Sequence, residues 1–262
     1  MLRRRPLIYV IRWGAGEPAV LVHGSFGWGE ETWLEQRQLA DAYELVLVDR
    51  RGFGLTPPPD GRVDFDSDAD DIAEILDQHG RAHLVGHSYG GIVALLAAAR
   101  RPGAVRSLCV IEPPAVGLVR GRRHIEEFID RVGDAADNAS DAEDYHARFL
   151  AAFGFPPPRE RLSRESLSAA LSSWAERPPW EAEIPLDELA ETSFPKLVVR
   201  GVWDQAPEEA RRRGAAAFAA VCDVLVERLH AESAEFAGAA HNPQLLGAPF
   251  NDRLRAFWKS AA

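Results

Sequence analysis

Lysine is almost missing from these 262 residues: Lys196 and Lys259 are the only two, and arginine carries nearly all the positive charge. The formal net charge is −10. A polyanion partner needs clustered cations to displace its counterions, so nucleic acid is not an expected partner. Cysteine is equally scarce. Cys109 and Cys222, the only two, each lie in an apolar run, which excludes a disulfide framework and reads as buried thiols in a reducing cytoplasm. No apolar run approaches the ~20 residues that a bilayer span requires. The run Leu7–Ile11 behind Arg3-Arg4-Arg5 is too short for the h-region of a signal peptide. A cytoplasmic protein with no membrane partner is the expectation. There is no Walker loop, no dinucleotide fingerprint and no His/Cys/Asp grouping at metal-ligand spacing. No cofactor and no metal are therefore expected.

What is present is ample core material: 46% hydrophobic residues, with seven Trp and twelve Phe. The length suits one large α/β domain, or such a core carrying an insertion. Strand-like and helix-like segments alternate through the first half: strands at Leu7–Trp13, Ala19–His23, Glu44–Val48, Ala82–Val85 and Ser107–Ile111, with helices at Trp33–Ala40, Asp68–His79 and Gly91–Ala97. That alternation implies a mostly parallel sheet with right-handed crossovers. After Pro113-Pro114 no strand-like run occurs until Lys196–Gly201. Three helices are expected between: one with the stripe Ile125, Phe128, Ile129 and Val132, one opened by a capping box at Ser140–Glu143, and one marked by Leu167, Leu171 and Trp174. The chain then returns through a helix from Pro207 to about His230, a short strand near Glu235-Phe236, and a closing helix at Pro249–Trp258.

One stretch carries the chemistry. Gly86-His87-Ser88-Tyr89-Gly90 sits where a strand runs into a small-residue helix. A serine held on such a turn needs neighbours without side-chain bulk, and its hydroxyl is aimed off the sheet. A serine hydroxyl is a weak nucleophile and needs a base, itself oriented by an acid. His241 follows the last strand in a small-residue loop, and Asp204 follows the strand before it. Both fall at strand carboxyl ends, where the sites of open sheets collect. Glu112, ending the strand before the insertion, competes with Asp204 for the role of acid. An unpaired carboxylate there would be costly. Two backbone N–H groups must face the developing oxyanion. One is expected from Tyr89, and the other from the Gly24–Gly29 loop, at Ser25. His87 and His23 read as structural.

Val22-His23-Gly24, Asp49–Gly54, Gly86–Gly91, Gly201–Asp204 and His241 occur in the order seen in α/β-hydrolase fold proteins, and the chain resembles that superfamily over nearly all its length outside the insertion. The resemblance implies a mostly parallel α/β-hydrolase sheet flanked by helices, with a helical cap inserted between the sixth and seventh strands. Residues 1–112 and 195–262 would be the core, and 113–194 the cap. It also implies a serine hydrolase, since Ser88 stands where the branches that cleave epoxides and haloalkanes use an aspartate. Two departures stand out. The N-terminal antiparallel pair is abbreviated, and an arginine-rich helix follows Asp204. The expected activity is cleavage of a small or medium carboxylic ester or related acyl compound by Ser88, Asp204 (or Glu112) and His241. A carbon–carbon bond hydrolase or lyase and a non-catalytic small-molecule receptor remain open, as does whether the aromatics of the cap line a lid or only its core. No oligomeric state follows from the sequence.

Overall fold

The computed structural model describes residues 7–261, so the arginine run Arg3–Arg5 lies outside the described residues. Seven strands form one sheet in the order β1-β3-β2-β4-β5-β6-β7. They are β1 (Val10–Trp13), β2 (Glu17–Val22), β3 (Tyr43–Val48), β4 (Ala82–His87), β5 (Val105–Ile111), β6 (Lys196–Gly201) and β7 (Glu232–Phe236). Only β1 runs antiparallel, along β3. It is shorter than the strand expected from Leu7, because the pairing starts at Val10↔Val48. β4 is buried at every position, as the continuous apolar run of a strand covered on both faces demands.

The α-helices are α1 (Gly29–Thr32), α2 (Phe65–His79), α3 (Tyr89–Arg100), α4 (Arg123–Asp137), α5 (Ala142–Ala152), α6 (Arg164–Trp174), α7 (Leu186–Ala190), α8 (Glu208–Ala210), α9 (Ala216–Leu229) and α10 (Ala248–Ser260). α8 passes through one π-helical turn, Arg211–Ala215, into α9. α2 begins three residues earlier than its apolar periodicity suggests, because Asp64 caps it by accepting from the Asp66 N–H. The segment after Trp33 is a 3-10 helix, Leu34–Asp41. One face of the sheet packs on α2, α3 and α9, and the other on α10 and the 3-10 segment.

Among the described residues the stretch between β5 and β6 holds α4 to α7 and no strand. Counted along this chain the insertion follows the fifth strand. The resemblance places it one strand later, and the abbreviated N-terminal pair, here the single strand β1, accounts for the difference. α4 buries its expected stripe, Ile125, Phe128, Ile129 and Val132. Two local expectations change. The cap of α5 is Asp141, which accepts from the Asp144 N–H, while the Asp144 carboxylate reaches back to the Ser140 N–H. The box is thus displaced by one residue. On α6 two residues of the expected apolar stripe, Leu167 and Leu171, are exposed, while Trp174 stacks on Tyr145 and the smaller Ala169, Ala170 and Ser173 are buried. Close approach to the core favours the small side chains there.

Register fixes the site. Val22 pairs with Gly86, His87 with Ile111, and Ile111 with Val199. The carboxyl ends of β2, β4, β5 and β6 therefore lie side by side at one sheet edge. No helix of the described residues is long and apolar enough to cross a membrane.

Candidate active site

Ser88 lies between β4 and α3 with φ 52°, a left-handed conformation that is strained for a residue carrying a Cβ. The turn is held by Ser88 N–H donating to the Ile111 carbonyl at 2.9 Å and Gly91 N–H donating to the Ser88 carbonyl at 2.8 Å. Glycine at 86 and 90 is obligatory for closeness: a Cβ on Gly86 would lie 2.3 Å from the Gly90 carbonyl oxygen, and one on Gly90 2.3 Å from that of His23.

The Ser88 Oγ is 2.9 Å from His241 Nε2. On the far side of the ring, Nδ1 is 2.9 Å from Glu112 Oε2. The other oxygen of Glu112, Oε1, accepts from the Gly201 N–H and from the Trp203 indole N–H, each at 2.9 Å. Glu112 is 1% exposed. Three donors on one buried carboxylate replace the water it gives up. Glu112 acts as acceptor toward Nδ1, so Nδ1 carries the proton and Nε2 presents its lone pair to Ser88.

Asp204 is elsewhere. It is exposed, and its Oδ1 accepts from the Gly238 N–H at 2.8 Å. The cause is the backbone one residue earlier. Trp203 has φ 62°, and this left-handed turn sends the indole inward to Glu112 and carries Asp204 out to solvent. Asp204 thus ties down the loop that leads to His241, while the structure brings Ser88, His241 and Glu112 together. Trp203 was not among the residues expected at the site. Its signal was an indole, a buried donor in search of an acceptor, next to a strand-terminal acid.

The loop after β2 presses on the same point. A Cβ on Gly24 would lie 2.8 Å from the Ser88 Cβ, so this backbone runs directly beside the serine. The Phe26 N–H is committed to Ser173 Oγ at 2.8 Å, so it is not a free donor toward Ser88. Tyr89 opens α3, where a helix has no internal acceptor for its N–H groups. Asp49 braces the arrangement by accepting from the Gly29 and Leu55 N–H groups at 2.8 and 2.9 Å.

Two histidines are structural. His23 accepts the Arg50 N–H at Nε2, 3.0 Å away, and so donates from Nδ1 to the Gly24 carbonyl at 2.7 Å. Its burial, together with the Arg50 charge, lowers its pKa well below 6.5. His87 Nε2 donates to the His241 carbonyl at 3.0 Å. Burial first and His241 second push its pKa down to about 3, so it is neutral and holds the backbone of His241. Burial also raises the Cys109 thiol to about 12, which makes it inert. Among the described residues no group of three or more His, Cys, Asp or Glu side chains could hold a metal ion.

A cavity of about 650 Å³ opens over Ser88 and His241. Its wall is aromatic: Phe26 from the loop after β2, Phe128 from α4, Tyr145 and Phe149 from α5, Trp174 at the end of α6, Trp180, and Phe218 from α9. The insertion supplies most of it. Polar side chains also reach the lining, among them Glu31, Thr32, His146, Asn242 and Gln244. His146 has a buried Nδ1 with no hydrogen-bond partner among the described residues. Among the described residues the one Arg or Lys side chain in the lining is Arg177, and it is engaged by Glu181 at 2.9 Å and Asp66 at 3.1 Å. Beside it lies Glu176.

Residues 19–253 match the model of the Alpha/beta hydrolase family. Among curated relatives, 192 residues are 29% identical to Esterase YbfF of Escherichia coli (strain K12), covering 72% of this chain and 65% of that one. Another 178-residue match is 30% identical to 2-hydroxymuconate semialdehyde hydrolase of Pseudomonas sp. (strain CF600), covering 56% of this chain and 62% of the relative. The matched part is less than two thirds of either relative's length. Among solved structures, esterase RhEst1 from Rhodococcus sp. ECU1013 superposes with a TM-score of 0.66 at 24% identity, over 97% of this chain and 95% of that one. At that identity the likeness concerns the fold alone. Strand order, the turn at Ser88 and the extent of the family match agree, and the chain belongs to the alpha/beta hydrolase family.

Proposed function

We propose that this protein is a serine hydrolase for neutral carboxylic esters with an apolar acyl or alcohol group, and that Ser88, His241 and Glu112 are its triad. The observation that carries this reading is the hydrogen-bonded chain Ser88 Oγ–His241 Nε2–His241 Nδ1–Glu112 Oε2, with both contacts at 2.9 Å, at the floor of an aromatic cavity. Ser88 Oγ attacks the ester carbonyl and its proton passes to Nε2. The resulting oxyanion faces the N–H groups of Ser25 and Tyr89, each such donor being worth about 10²–10³ in rate. Collapse expels the alcohol, which takes the proton back from Nε2. Water then releases the acid from the acyl-enzyme by the same route. Glu112 holds the imidazole in the productive tautomer and offsets its charge. Side chains and water suffice for every step, and the residues 113–194 act as the cap that shapes the substrate.

Both an esterase and a carbon–carbon hydrolase stand among the relatives. The wall of the cavity favours the ester. The substrates named for the relatives include a dienoate and a succinate, and such carboxylates need a cation. Here Arg177 is already held by Glu181 and Asp66, and the buried Arg50 is engaged by Asp68 and Glu176. A non-catalytic receptor would have no use for a serine paired to a histidine and a buried acid. The test is turnover of nitrophenyl esters of graded acyl length against turnover of 2-hydroxymuconate semialdehyde. Ester turnover that depends on Ser88, at a kcat/KM at least tenfold above that for the dienoate, supports the proposal. The reverse ratio overturns it.

A further inference from the structure

The turn that offers the Ser25 N–H is gripped by the insertion at both of its residues. Ser25 Oγ donates to Glu176 Oε2. The Phe26 N–H donates to Ser173 Oγ at 2.8 Å, and the hydroxyl of Ser173 donates in turn to the Ala169 carbonyl at 2.8 Å, so its lone pair is left facing Phe26. The Phe26 ring packs on α5, with centroids 4.7 Å from Phe149 and 5.1 Å from His146.

These contacts hold a conformation that the core alone does not favour. Phe26 has φ 64°, a left-handed backbone that is costly for a bulky residue and persists where its surroundings over-determine it. Every contact just described on Phe26 comes from the insertion. Glu176 is itself rigidly placed. Val63 N–H donates to the Ala175 carbonyl at 3.1 Å and Arg177 N–H to the Val63 carbonyl at 2.8 Å, bracketing it on both sides. Its Oε1 accepts from Arg50 Nη2 at 2.7 Å, and the same guanidinium donates to the carbonyls of His23 and Gly24 at 3.0 and 2.9 Å. One buried arginine thus joins the strap of the insertion to the backbone leading into the turn.

From this geometry we infer that Ser173 and Glu176 are positioning residues, through which the cap holds the Ser25–Phe26 turn in its oxyanion-binding conformation. The hole is then complete only while the carboxyl end of α6 is seated on the core. This rests on the ester hydrolase reading above and adds a coupling between cap and catalytic step that the triad does not require.

The test uses the full chain with Ser173→Ala and, independently, Ser25→Ala, which removes the hydroxyl that reaches Glu176 and keeps the backbone N–H. The readouts are kcat, KM, the thermal midpoint and the Ki of an aryl trifluoromethyl ketone. With that ketone the Ser88 Oγ–carbon bond forms, the carbonyl pair moves onto oxygen and the serine proton passes to His241, so the adduct places an oxyanion in the hole. Each variant is expected to lose about tenfold to a hundredfold in kcat, with KM within about threefold, and to weaken the ketone by the same factor. Unchanged kcat, or a lowered thermal midpoint with ketone affinity intact, overturns the inference and leaves the hydrolase reading standing. Ester turnover by the wild-type chain that persists in Ser88→Ala overturns both.

Discussion

Replacing Glu112 by glutamine is the sharpest perturbation of this site, because the geometry dictates how the amide must turn. Oε1 of Glu112 accepts from two N–H donors, Gly201 and the Trp203 indole, while Oε2 faces only His241 Nδ1. A glutamine has one oxygen, and two buried donors left unpaired cost more than one. The oxygen therefore stays with Gly201 and Trp203, and the NH2 group turns to His241. An NH2 group opposite Nδ1 forces the other tautomer, so Nε2 carries a proton toward Ser88 and cannot accept one. Trapping a triad histidine in the wrong tautomer costs about 10⁴ in kcat in a serine protease. For Glu112→Gln a loss of about 10³–10⁴ in kcat is expected, or ~4–5.5 kcal/mol of barrier, with KM nearly unchanged. Asp204→Asn is the matched control. Its amide oxygen can still accept from the Gly238 N–H at the surface, so a change of less than about threefold is expected for this exposed contact. Steady-state kcat on a nitrophenyl ester, with thermal midpoints measured in parallel, decides between them. A Glu112→Gln variant within tenfold of wild type, beside an Asp204→Asn variant reduced a thousandfold, would refute the reasoning.

Three further outcomes follow from contacts at the same site. Gly24→Ala would set a Cβ 2.8 Å from the Ser88 Cβ, so the loop must shift; kcat on any ester should fall by about a hundredfold or more, and an unaltered kcat would contradict that. Burial holds the folded pKa of His87 down at about 3, below the ordinary imidazole value of 6.5. Its contribution to stability is therefore complete above about pH 6.5 and is lost as pH falls toward 3, worth a few kcal/mol at ~1.4 kcal/mol per pH unit. Wild type should lose more thermal stability than His87→Asn between pH 7 and pH 4, and equal losses would count against a neutral, buried His87. Phe149→Ala removes a ring from the cavity wall, where it touches Phe26, Tyr145 and Phe153. The acyl-length optimum in an ester panel should move to chains longer by about two or more carbons, since burial contributes ≈ 0.8 kcal/mol per CH₂; an unmoved optimum would place the acyl group elsewhere.

Much of the fold was legible because its signals are local. Short apolar runs such as Leu84-Val85 or Val198-Val199, bounded by turn residues, read as strands covered on both faces, and the turn around Ser88 announces itself through its flanking glycines. The acid was harder to read. Glu112 and Asp204 both follow core strands, and nothing within a few residues of either says which carboxylate turns inward. That depends on the left-handed backbone at Trp203, a residue whose type argues against such a conformation. On α6 Leu167 and Leu171 suggested the buried face, and the tight seat of the helix reversed it for both, with Leu171 left 58% exposed. The grip of Ser173 and Glu176 on the loop after β2 spans sequence separations of 147 and 151 residues, beyond any local pattern.

Whether Ser88 is an activated nucleophile is tested by one measurement that needs no knowledge of the substrate. Folded protein treated with an alkyl fluorophosphonate should gain a single phosphonyl group, located on Ser88 by peptide mass spectrometry, with labelling abolished in Ser88→Ala and strongly slowed in His241→Ala. An unlabelled Ser88, or labelling that proceeds at the same rate without His241, would contradict the account.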